Sequence, residues 1–270
     1  MNRRTFLKLS TGVVLSAPSL RGAGAGPSGE NRIFDELLAR YLVQSRDGIV
    51  LVDYARWKSN AADRSSLADF LAALAALRPS AMGRNERFAF WANFYNATTL
   101  KIVIDNYPVR SIRDIKSDTS LFDIKRYIGP WRTKIATIEN QPVSLDDIEH
   151  EIMRPTFKDP RVHYSVNCAS IGCPNLPLRA WRAETLDRDL DGAARAFINH
   201  PRGVWIGQDG RLRLSSIYKW FKEDFGGTDA GVLAHLRKYA GPDLLARLPA
   251  RAQGFDDDYD WSLNQAGRRG

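Results

Sequence analysis

The chain has 270 residues, 44% of them hydrophobic, with seven Trp and twelve Phe, enough to pack one large domain or two small ones. Its 39 Lys and Arg against 31 Asp and Glu give a net charge of +8. Four of those cations, Arg3, Arg4, Lys8 and Arg21, fall within the first 25 positions, and the +4 that remains argues against nucleic acid as a partner.

The elements run as follows. Asn2-Arg3-Arg4-Thr5-Phe6-Leu7-Lys8 is a twin-arginine export signature. The apolar run from Leu9 to Leu20 is too short and too polar to stay in a bilayer, and Ala23-Gly24-Ala25 is a small-residue cleavage site. Residues 1–25 are therefore expected to be a signal peptide, 26–31 a flexible linker and 32–270 a single domain. The mature protein is expected in the periplasm or outside the cell, with no stable membrane anchor. The twin-arginine route carries folded proteins, so no disulfide can be required for the initial fold.

Ile33, Phe34, Leu37, Leu38 and Tyr41 form a helical stripe. Residues 49–53 read as a short strand, and Ser65 or Ser66 as the cap of a following helix. Arg84 to Asn106 is the longest helical candidate, ended by Tyr107-Pro108. It carries an aromatic face and, nearer another face, Glu86, Asn93 and Asn96. Strands are expected at 124–128 and 134–138, then a helix from Ser144 stopped by Pro155. Val162, Tyr164 and Val166 alternate with His163, Ser165 and Asn167, a strand pattern. A helix over 184–199, a hairpin of 204–206 with 212–214, a helix from Ser215 or Ser216 to Asp224 and two short helices within 229–248 follow. Tyr259 to Asn264 is expected to return as a last strand. Asp256-Asp257-Asp258 fits no EF-hand spacing and reads as a solvated acidic turn. Helices and strands mix without βαβ alternation. The fold class is α+β, with helices packed on a small mixed or antiparallel sheet.

Both cysteines and one of the four histidines lie between His163 and Cys173. A thiol beside an imidazole permits nucleophilic catalysis, metal binding or redox chemistry. In the leading arrangement Cys168 attacks a carbonyl, His163 is its base and Glu149 orients the imidazole. Asn93 and Asn96 are candidates to hold the histidine or an oxyanion, Cys173 is the substitute nucleophile, and His150 is a second imidazole for Cys168. An extended chain would separate His163 from Cys168 by about 16 Å, so the backbone must bend sharply before Cys168. A turn at Cys168 would instead bring Cys173 across from His163. Three alternatives stand beside this arrangement. One is a Cys168–Cys173 disulfide, another a zinc site from His150, His163, Cys168 and Cys173, and the third a non-catalytic binding domain. No cofactor is expected, with zinc left open. Trp91, Tyr95, Trp220 and Trp261 read as core.

Five blocks in order resemble bacterial proteins of the domain of unknown function 547 family. They are Phe90 to Asn96, Ser144 to His150, His163 to Pro174, Ser216 to Phe221, and Tyr259 to Asn264. The resemblance spans roughly 49–264. It implies one α+β domain with a cysteine-hydrolase architecture of the papain or transglutaminase kind, and it favours Cys168 as the chemical thiol. The resulting expectation is a cysteine-dependent hydrolase or acyl transferase acting on a peptide- or amide-containing substrate.

Overall fold

A computed structural model describes residues 27–116, 129–252 and 254–267. The expected signal peptide and the expected strand at 124–128 lie outside the described residues. Helix α1 (Pro27–Tyr41) begins inside the stretch expected to be a linker. It leads into a hairpin of β1 (Leu42–Gln44) and β2 (Val50–Val52). Helices α2 (Tyr54–Ser59) and α3 (Ala61–Ala75) follow. The cap of α3 is Asn60, which accepts from the Asp63 N–H at 3.1 Å. Ser66, expected to cap, sits inside the helix and donates back to the Ala62 carbonyl.

Helix α4 (Arg84–Asn106) has the bounds expected from the sequence. Its residues from Phe88 to Leu100 are buried on every side, so α4 is the axis of the fold rather than an amphipathic cover. A larger core surrounds α4 and takes in α1, α2 and α3. A smaller core joins α7 (Leu186–Ile198), the strands β5 (Val204–Ile206) and β6 (Leu212–Ser215), α8 (Ile217–Trp220) and α9 (Asp229–Tyr239). The segment 162–166 belongs to both, Val162 and Val166 to the first and Tyr164 to the second.

The fold is α+β, but its strands form three small sheets rather than one. In the second, β3 (Ala136–Ile138) pairs with β4 (Gln141–Val143) around Glu139 and Asn140, both in the left-handed region. In the third, β5 and β6 are antiparallel and β7 (Asp256–Asp258) joins β6 in parallel. The acidic triplet is thus a strand and not a turn. Asp257 accepts from Lys219 Nζ at 2.6 Å and Ser216 Oγ at 2.8 Å, which pins the edge in place.

Two further expectations change. The helix after Ser144 is capped as expected, with Ser144 and Asp147 exchanging hydrogen bonds. It does not stop at Pro155. A π-helical turn (Asp147–Met153) runs straight into α5 (Arg154–Phe157), and the Arg154 N–H reaches back five residues to the Glu149 carbonyl. Proline crowds the carbonyl four residues before it, and the wider turn relieves that crowding. The stretch expected to be a strand at His163 is instead a helical turn, α6 (Val162–Ser165). All four of its side chains are buried, so alternation between apolar and polar residues says nothing about which face is inside.

Candidate active site

The cysteine loop begins where α6 ends. Asn96 of α4, fully buried, braces the chain on both sides of Val166. Its amide donates to the Ser165 carbonyl at 2.8 Å and its oxygen accepts from the Asn167 N–H at 2.8 Å. Asn167 then closes the loop, donating to the Pro174 carbonyl at 2.7 Å and accepting from the Ala169 N–H at 2.8 Å. Ala169 takes a left-handed conformation, φ 61°. The bend places the Cys168 N–H 3.0 Å from Cys173 Sγ.

The C-terminal segment straps this loop. Ile171 and Gly172 donate to the Ser262 and Asp260 carbonyls at 2.8 Å each, and Asn264 donates to the Ala169 carbonyl at 3.1 Å. Gly172 is required by close approach, since a Cβ there would lie 2.9 Å from the Asp260 nitrogen. The strap delivers Tyr259, whose hydroxyl donates to Cys173 Sγ at 3.0 Å and lies 3.1 Å from Cys168 Sγ.

Both thiols are free. Cys168 is partly exposed, whereas Cys173 is 4% exposed. The Cys168 thiol is pushed well up, first because its proton bonds Cys173 and then by burial. Burial opposes ionisation of Cys173 as well. Hydrogen bonds from the Cys168 thiol, the Tyr259 hydroxyl and the Cys168 N–H outweigh it and bring Cys173 down to about 7. The hydrogen bonds therefore favour Cys173 over Cys168 as the first of the two sulfurs to ionise.

Facing the thiols is an ionic wall. The buried His163 ring places Nε2 2.7 Å from Asp224 Oδ2 and Nδ1 3.6 Å from Glu149 Oε1. It stacks on Phe221 with centroids 4.2 Å apart. Burial disfavours the imidazolium, but Asp224 and Glu149 overcome it and raise its pKa. Burial also opposes the Asp224 carboxylate, yet His163 and Arg154 hold it down at about 2. The Arg154 Nε donates to Asp224 at 2.6 Å, and the Tyr95 hydroxyl donates to Glu149 at 3.3 Å. His150 sits between Asp146 and Arg154 along the π-helical turn, 3.5 and 3.3 Å from them.

A third wall is aromatic. The Trp220 and Trp261 rings stack at 5.7 Å, Tyr259 lies 4.7 Å from Trp261, and Trp131 meets the edge of Trp261 at 5.8 Å. The three walls enclose an open cavity of about 800 Å³.

The structure thus gathers Cys168, Cys173, His163, Glu149 and His150 at one cavity. It joins Glu149 to His163, but neither sulfur has a hydrogen bond to an imidazole among the described residues. Asn93 and Asn96 are braces inside the core and do not line the cavity; Asn93 exchanges two hydrogen bonds with the Trp181 backbone. The four zinc candidates do not converge, because the His163 nitrogens face carboxylates. No group of three or more His, Cys, Asp or Glu suited to a metal occurs among the described residues.

Trp220 and Trp261, read from the sequence as core, stand instead at the cavity, and Trp220 is 46% exposed; Trp91 and Tyr95 are core as expected, Tyr95 also bordering the cavity. Arg154 and Asp224 are not legible as site residues, and Tyr259 enters only as the start of the 259–264 block. Only the Trp220-Phe221 and Tyr259-Asp260-Trp261 clusters offered a sequence signal, as aromatic pairs flanked by charge or serine.

Loop, braces and ionic wall lie largely between Arg84 and Ile198, within the stretch that a family model matches. Residues 79–198 match the family model described as a protein of unknown function, DUF547. No curated protein and no solved structure matches the chain. The matched stretch supplies both cysteines, His163 and Glu149, whereas Asp224, Trp220, Tyr259 and Trp261 come from beyond it.

Proposed function

We propose that the cavity is the site of a cysteine-dependent hydrolase or acyl transferase acting on an amide-like carbonyl. One observation carries the reading: the cavity-facing Cys168 is paired with a second sulfur that Cys168 and Tyr259 hold in a form ready to accept a proton. In the proposed step Cys168 sulfur bonds to the carbonyl carbon as its proton passes to Cys173. The amine then leaves with that proton, breaking the C–N bond. Water attacks the resulting thioester, Cys173 takes the proton of the attacking water, and Cys168 leaves as a thiolate that is reprotonated. A base with a pKa of about 7 suits transfer near neutrality. The Glu149–His163–Asp224 set serves as a fixed polar wall, and the tryptophans supply an apolar surface for the acyl or amine side chain. The reading extends to compartment: the twin-arginine signature supports export to the periplasm or beyond.

Acyl-enzyme trapping tests it. Incubation with p-nitrophenyl acetate and with amino-acid p-nitroanilides is expected to leave an acyl group on Cys168, seen by mass spectrometry. C168A is expected to stay folded and lose both the adduct and the release of nitrophenol or nitroaniline. A folded C168A that releases product at the wild-type rate would overturn the assignment. Native protein whose Cys168 takes neither acyl group nor iodoacetamide would favour the rival, a binding cavity without chemistry.

A further inference from the structure

We propose that Arg202 is the counter-charge of a Cys173 thiolate, clipped to the cysteine loop on both sides of that residue and matched by the sulfur anion in place of a carboxylate. Its Nη1 donates to the Ile171 carbonyl at 3.0 Å and its Nη2 to the Asn175 side-chain oxygen at 2.5 Å. Those partners stand two positions before and two after Cys173. The Arg202 Nε is shut off from solvent with no hydrogen-bond partner. Among the described residues no carboxylate lies within ion-pair distance of the guanidinium. A partly buried guanidinium without an anion is costly, because arginine does not neutralise itself by losing its proton. The Phe197 ring lies 5.6 Å from the guanidinium carbon.

The groups facing the pair come from several elements. Around Cys173 stand Cys168 and Ser170 of its own loop, Tyr259 of the strap, Tyr54 of α2 and Tyr95 of α4. Around Arg202 stand Asp47 of the β1–β2 turn, His200 and Tyr259. Asp47 is exposed and occupied with Ser45 and the Ile49 N–H. Burial pulls the Arg202 guanidinium down, and Cys173 is the foremost anion opposing that pull. Cysteine ordinarily ionises near pH 8.5. Hydrogen bonds from Cys168 and Tyr259 bring the sulfur down, and Arg202, anchored two residues to either side of it, sets a positive charge against the same loop.

The inference rests on reading Cys173 as the proton acceptor, and it is tested without turnover, so its failure and that of the acyl-transfer reading are distinguishable. Thiolate absorbance at 240 nm and the rate of iodoacetamide alkylation are followed from pH 5 to 10 in wild type, R202Q, R202K and C173S. Wild type is expected to ionise first at about 7, and C173S to lose that step. R202Q keeps a donor for the Ile171 carbonyl but not the charge. Its first step is expected to move up by about one unit, lowering alkylation at pH 7 about fivefold. R202K keeps the charge and is expected to hold the step near 7, so it decides the matter if R202Q does not fold. A folded R202Q that titrates like wild type, or a folded R202K whose step rises above 8, would overturn the proposal.

Discussion

Tyr259 gives its one hydroxyl proton to Cys173 across 86 residues of sequence, at 3.0 Å, while the same oxygen lies within 3.1 Å of Cys168. A phenol has a single proton, so once it points at Cys173 it has none to give to Cys168. The order of ionisation in the pair follows from that polarity and from the Cys168 N–H, which also points at Cys173.

Removing the phenol oxygen should therefore disturb charge more than fold. In Y259F the ring keeps its place beside Trp220 and Trp261, and the loss in stability is expected to be about 1 kcal/mol. The first thiol ionisation should rise, and iodoacetamide alkylation at pH 7 should slow about tenfold. Alkylation kinetics alongside urea denaturation check this. An unchanged alkylation rate would contradict the donor role of Tyr259.

The ionic wall predicts a particular pH profile of stability. The folded pKa of His163 is raised, so its contribution is fully present below the ordinary histidine value of about 6.5 and is lost as pH climbs through the folded value. The folded pKa of Asp224 is lowered to about 2, so its contribution is present above the ordinary carboxylate value and fades as pH falls toward 2. Wild type minus H163Q, compared by denaturation midpoint at each pH, should show a plateau from about pH 4 to 6.5 that declines on both sides. A difference that grows above pH 7 would show that the imidazole is held neutral.

The Asn96 brace makes a third prediction. Truncation in N96A leaves the Ser165 carbonyl and the Asn167 N–H without their partner inside the core. The Ser165 carbonyl keeps the Trp181 indole as a second donor at 3.0 Å, so the main cost falls on the Asn167 N–H. A loss of about 2 to 3 kcal/mol is expected by urea denaturation, with faster proteolysis within the cysteine loop. A change below about 0.5 kcal/mol would mean that the loop holds its bend without α4.

What could be read from the sequence was local. The bounds of α4 were legible because a proline ends it and a long apolar stretch defines it. The hairpin of β5 and β6 was legible from alternation and an Asp-Gly turn. The crowding of both cysteines near His163 pointed to the cavity they line, and Glu149 was placed beside His163 from its likeness to an orienting carboxylate. The remaining partners were not legible, because each depends on a distant approach. Asp224 meets His163 across 61 residues and Arg154 across 70. The sequence pattern around His163 misled, because a single helical turn buried on all sides has no periodicity to display. Asn93 and Asn96 looked like site residues because polar groups on an aromatic helix invite that reading. Buried amides serve equally well to hold an irregular backbone, and that is how both are used.

The strap over the cysteine loop also sets the order in which reactivity can arise during synthesis. A ribosome that has delivered residues up to 250 has already released both sulfurs, Asn96 and His163, yet neither the phenol nor the Asp260 and Ser262 carbonyls that hold the loop. Contacts of such long sequence separation form late, after the chain on both sides has condensed. Until residues 259–264 dock, the polypeptide carries two ordinary thiols, and the finished pair comes into being only when that segment arrives.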